Sequence, residues 1–149
     1  MHTVAPTIPT ATHHREAVLN EPEIRIKQVI CMRHDLKMRR GKQIAQGAHA
    51  SMSFLTRRLQ ENGSVTFDAL SPAMQAWTRG SFAKICCRVD SEEELMDLYD
   101  RAIESGVEVH LITDSGRTEF HGKPTRTCLA IGPDEADKID QITGHLQLL

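Results

Sequence analysis

A chain of 149 residues with 40% hydrophobic content is long enough for one domain with a core. It has no run of 18 or more apolar residues, so no membrane-spanning helix is expected. Its net charge of −2 argues against a nucleic-acid partner until it is divided along the chain. From Arg25 to Asn62 there are nine Lys/Arg against Asp35 and Glu61; from Gly63 to Leu149 there are eight against fifteen Asp/Glu. A basic half gathered around one segment is a candidate phosphate footprint, and a solvated basic face paired with acidic helices is the equal alternative.

The Thr/Pro/His-rich residues 1–23 lack an apolar core segment and carry one Arg against three Glu, so they read as a disordered tail rather than a secretory or transit peptide. A domain is expected over 24–149. Ile24 to Arg33 alternates and then becomes continuously apolar, as in a strand covered on both faces. The basic loop His34–Arg40 leads through Gly41 into a predicted helix, Lys42 to about Gln60. At 100° per residue, Lys42, Gln46, His49 and Ser53 share one stripe. Ala45, Ala48, Met52, Leu55 and Leu59 form another, spaced as a core-facing stripe should be. The polar stripe is expected at the shoulder of that buried face.

Val65 to Arg79 is a connection with a short helix after Ser71-Pro72, packed onto the body by Trp77. Phe82–Val89 is the second strand. Ser91 and Glu94 form a capping box for the next helix, which ends at Gly106. Val107–Thr113 is the third strand and Arg126–Ile131 the fourth, with the last helix beginning at Gly132-Pro133-Asp134. This order predicts a three-layer α/β/α domain around a four-stranded mixed β-sheet. The four cysteines, Cys31, Cys86, Cys87 and Cys128, all lie in apolar strand-like runs without C-x-x-C spacing. They are expected to be buried reduced thiols of a cytoplasmic protein.

Binding crevices of α/β sheets lie at the carboxyl ends of strands. Polar groups gather at three such places: the Arg33–Lys42 loop and helix start, Asp114 with Thr118, and Thr127. Each also has an ordinary explanation, for example Asp114 as a turn acid accepting backbone N–H bonds. A Walker loop, a G-x-S-x-G elbow and an H-E-x-x-H helix are all absent.

Several motifs in order resemble the type 2 peptidyl-tRNA hydrolase family. They are Lys27-Gln28-Val29-Ile30, Arg33-His34-Asp35-Leu36-Lys37-Met38, Gly41-Lys42-Gln43-Ile44-Ala45-Gln46 with Ala48-His49-Ala50, Asp114-Ser115-Gly116-Arg117-Thr118, and Thr127 to Pro133. The resemblance implies hydrolysis of the peptide–tRNA ester in peptidyl-tRNA by a homodimer without metal or organic cofactor. It places function on Lys42, Gln46, Asp114, Thr118 and Thr127. Ser115 stands where the family has alanine, and the Glu119–Pro124 loop is about one residue longer than usual.

On this reading Lys42 supplies positive charge at an oxyanion, Gln46 orients water or substrate, and Asp114 either accepts a proton or holds Lys42. The proton-accepting role requires burial to raise the Asp114 pKa. His49 is expected in a supporting packing or hydrogen-bond role. Arg39, Arg40, Arg57 and Arg58 are candidate tRNA-phosphate contacts. A non-catalytic RNA- or protein-binding module on the same fold, and an esterase of small substrates, are the competing classes.

Overall fold

The computed structural model describes residues 25–149; the tail expected over 1–23 lies outside them. Its elements are β1 (Ile26–Arg33), α1 (Arg40–Asn62), a 3-10 turn (Phe67–Ala69), α2 (Pro72–Arg79), β2 (Lys84–Val89), α3 (Glu92–Glu104), β3 (Val109–Asp114), β4 (Thr125–Glu135) and α4 (Ala136–Thr143). The sheet order is β2-β1-β4-β3. β1 pairs parallel with β2, and β4 pairs antiparallel with both β1 and β3. β1 and β3 therefore point the same way, and their carboxyl ends meet the start of β4 at one end of the sheet. This topology brings loops distant in sequence to one place.

Alternation along the strands divides the core. Val29, Cys31, Val89, Leu129 and Ile131 face α3 and α4, where they meet Leu95, Leu98, Ile139 and Ile142. Ile30, Met32, Cys128 and Ala130 face the other way, against Ala50 of α1 and Met38 of the preceding loop. A third cluster joins Phe54 of α1 to Leu70, Met74 and Trp77. Trp77 is 1% exposed, stands edge-on to Phe54 at 5.8 Å, and donates its indole N–H to the Ala83 carbonyl at 2.8 Å. The excursion is thus packed onto the body through Trp77 together with Leu70 and Met74, as expected of its only Trp. Pro72 opens α2 behind the Ser71 cap. On α3, Ser91 Oγ accepts from Glu94 N–H, while the Glu94 carboxylate reaches back to Asp90 N–H.

The expected core face of α1 is reversed. Ala45, Ala48, Met52 and Leu59 are exposed and Leu55 is half-buried, whereas Gln46, Ala50, Ser53 and Phe54 are buried. The physical reason is that the sheet beneath α1 is itself partly polar. Gln28 is fully buried. Its amide donates to the Ser51 carbonyl at 3.1 Å and accepts from Ser51 Oγ at 2.6 Å. Buried polar groups with partners of this kind cost little, and small residues let the helix approach. Hydrophobicity alone therefore selects the wrong face.

Two further expectations change. β4 runs on through Gly132 to Glu135, so α4 begins at Ala136 and not at Gly132. Gly132 has φ +86°, and a Cβ there would lie 2.9 Å from the Lys27 carbonyl. Cys86 is exposed, although Cys31, Cys87 and Cys128 are buried and all four thiols are free. Strand alternation turns Cys86 towards the side of β2 opposite Cys87. Burial raises the Cys31 thiol and pushes Cys128 up to about 12, so both stay protonated.

Candidate active site

α1 enters the sheet end without the features of an ordinary helix start. Its cap position, Arg39, makes no side-chain cap bond, and no acid lies in the first turn. The cation Lys42 stands there instead, against the positive end of the helix dipole. It is held by groups from the other side of the molecule. Lys42 Nζ donates to Asp114 Oδ1 at 2.7 Å and to Thr118 Oγ1 at 3.0 Å. Gln46 Nε2 donates to the same carboxylate oxygen at 3.2 Å, and Thr127 Oγ1 donates to Gln46 Oε1. Lys42, Gln46, Asp114, Thr118 and Thr127 thus form one connected network.

The second Asp114 oxygen accepts the Gly116 N–H at 2.8 Å. The turn-acid reading and the ion-pair reading of Asp114 are both correct, one for each oxygen. Gly116 has φ +80°, and a Cβ would collide with the Lys123 carbonyl, so only glycine lets the chain turn back there. Sequence reasoning placed no weight on Gly116, although its position after Asp-Ser is the signal. It also named Arg33 without giving it a role. That side chain donates to Asp35 at 3.1 and 2.6 Å and to the Arg126 carbonyl at 3.1 Å, tying the end of β1 to the start of β4.

The side chains of Lys42 and Asp114 are 13% and 12% exposed. The hydrogen bond from Lys42 holds the Asp114 carboxyl below its ordinary range, and the Gly116 and Gln46 donors add to this against the opposing effect of desolvation. Burial does not raise it. Asp114 is therefore a firmly ionised carboxylate that fixes a lysine, and the proton-accepting alternative lacks the raised pKa it requires. An ammonium group has three donors; two are committed, which leaves one for a ligand. The network floors an open cavity of about 570 Å³ also lined by Arg39, His49 and Glu119.

The remaining candidates separate. His49 is exposed on the cavity wall and is not packed as expected. Arg39 is 79% exposed and pairs with Glu119 at 2.8 Å; Arg40 is exposed. Arg57 donates to the Leu111 carbonyl at 2.7 Å. Arg58 forms a two-pronged pair with Glu108 at 2.7 and 2.8 Å. Much of the basic half is thus already engaged within the domain. Among the described residues no cluster of three or more His, Cys, Asp or Glu could hold a metal.

Residues 26–149 match the family model described as peptidyl-tRNA hydrolase PTH2. The chain belongs to that family. The peptidyl-tRNA hydrolase of Methanocaldococcus jannaschii is 38% identical over 124 residues, covering 83% of this chain and all of that one. That of Nanoarchaeum equitans is 41% identical over 123 residues, 83% of this chain and 98% of the relative. A probable peptidyl-tRNA hydrolase 2 of Dictyostelium discoideum is 38% identical over 122 residues, covering 82% of this chain and 54% of that one. A solved structure of a protein of unknown function from Agrobacterium tumefaciens superposes with a TM-score of 0.52 at 14% identity, covering 85% of this chain and 99% of that one. That likeness concerns the fold alone.

Proposed function

We propose that this PTH2-family protein hydrolyses the ester between the peptide and the terminal ribose of tRNA in peptidyl-tRNA. The observation that carries the reading is the Lys42 ammonium, fixed by Asp114 and Thr118 on the floor of an open cavity. Its third proton stabilises the oxyanion that forms when water attacks the ester carbonyl, and being pre-oriented it needs no reorganisation at that moment. Gln46, gripped by Thr127 and turned towards Asp114, keeps that carboxylate in place. Asp114 sets the position and charge of Lys42. His49, on the same wall, takes the proton of the attacking water and passes it to the departing ribose oxygen as the ester bond breaks.

The tRNA phosphates fall to Arg39 and Arg40 at the cavity mouth and to exposed Arg117, which adjoins Thr118. Arg57 and Arg58 are spent on Leu111 and Glu108. Affinity is then weakened by salt. The donor set is an ammonium, an amide and hydroxyls around one carboxylate, a poor set for a divalent metal, so we propose metal-independent hydrolysis. No helix among the described residues is long and apolar enough to cross a membrane, and we place the protein in the cytoplasm with translation.

We propose a homodimer as well. The outward ridge of α1 carries Ile44 and Leu59 at 67% and 44% exposure, an apolar surface that a second copy would cover. The deciding assay is release of N-acetylaminoacyl groups from tRNA by purified protein, with and without chelator and over a salt series. Absence of turnover would leave the binding-module class standing, and salt-insensitive KM would remove the arginine assignment.

A further inference from the structure

A second depression, of about 380 Å³, continues from the site, and His49 lines both. It follows α1 from His49 past Met52 and Thr56 to Gln60, and its other wall is Leu111–Thr113 of β3. Two features distinguish it from the cavity mouth. The first is charge. Its only charged lining residue other than histidine is Arg57, already donating to the Leu111 carbonyl, whereas Arg39 and Arg40 lie at the opposite end. The second is its wall. β3 is an edge strand, paired with β4 on one side only. Edge strands carry N–H and C=O groups that the sheet does not use, and the Leu111 carbonyl is turned to the Arg57 guanidinium in this groove.

We propose that this groove takes the peptide part of the substrate, extended along β3 and held through its main chain. The inference rests on the hydrolase reading above and adds where each half of the substrate lies: tRNA on the Arg39–Arg40 side, peptide on the α1–β3 side, ester between them at Lys42. An enzyme that releases unfinished peptides meets every sequence, and strand-edge pairing recognises a backbone regardless of its side chains. The dimensions agree. The helix wall, His49 to Gln60, spans roughly 16 Å, and the strand wall offers the main chain of Leu111, Ile112 and Thr113 for pairing, enough for a short extended segment. Arg57 lies along this path, able to pass its hydrogen bond from Leu111 to a peptide carbonyl.

The test compares kcat/KM for tRNA carrying one N-acetylated amino acid with tRNA carrying an N-acetylated tetrapeptide that ends in the same residue. The unmodified protein is expected to favour the tetrapeptide about tenfold or more. In Thr56→Trp and Thr113→Trp, which fill the groove from its two walls, the ratio falls to about one. N-methylation of the second and third peptide amides lowers it in the same way. Both rates are read in one protein sample, so partial loss of folded enzyme cancels. Equal rates in the unmodified protein, or an undiminished preference in both variants, overturn the groove while hydrolysis stands. Full preference for the N-methylated substrate overturns main-chain pairing. No turnover of either substrate overturns the underlying hydrolase reading instead.

Discussion

A lysine in the first turn of a helix works against the local dipole, and Lys42 is kept there by a carboxylate 72 positions further along the chain. The two residues act as one unit. Lys42→Ala is expected to lower kcat by about 100- to 1,000-fold, the usual effect of losing a pre-oriented oxyanion donor, with KM changed far less. Asp114→Asn keeps the shape but releases the lysine, so it should approach the same loss, and the double variant should be little worse than either single one. Multiplicative losses in steady-state kinetics would separate the pair. His49→Gln should lower kcat and leave KM largely unchanged, as expected for a group that acts on the attacking water and not on substrate binding; an unchanged kcat would take His49 out of the reaction.

The elements differ in how openly the chain declares them. Trp77→Ala should destabilise the protein by about 3–5 kcal/mol in denaturant unfolding, because it leaves a cavity between α1 and α2 and removes one of the two hydrogen bonds to the Ala83 carbonyl. That role was legible, since a single Trp in a short amphipathic segment has little else to do. The strands and their order along the chain were legible from apolar runs and turn residues, and motifs picked out the five side chains that the fold joins in one network. The inward side of α1 was not. Ala45, Met52 and Leu59 have the right spacing for a core, but the partner surface contains Gln28 and Thr127, and no local pattern reveals what lies across the contact. For the same reason the arginine count overstated the free positive charge. Arg57 and Arg58 look available until β3 is folded beside them.

For the molecule as a whole, two global properties follow. Burial alone would raise the Glu108 pKa, but hydrogen bonds from Arg58 and His110 outweigh it and bring it to about 2 from 4.5. A depressed carboxylate stabilises the fold above its unfolded pKa, and the contribution is lost as pH falls towards the folded one. The stability difference between the unmodified protein and Arg58→Ala should therefore be full above about pH 4.5 and shrink steadily as pH falls towards 2. A pH-independent difference in urea unfolding would show that Arg58 acts by packing alone. The second property is assembly. Ile44→Asp together with Leu59→Asp should yield monomers in sedimentation velocity if α1 joins two copies, and an unchanged dimer would move the interface elsewhere.

The inward polarity of α1 has an engineering consequence. Gln46 and Thr127 occupy volume that a purely structural protein would fill with hydrocarbon, and replacing both partners of a buried hydrogen bond by apolar groups of similar shape is often neutral or favourable to folding. Selection for heat resistance alone should therefore drift towards Leu at 46 and Val at 127, giving a chain that melts later and turns over nothing. The proposed catalytic network occupies the place of a missing piece of core, so on that proposal thermostability and turnover draw on the same few cubic ångströms.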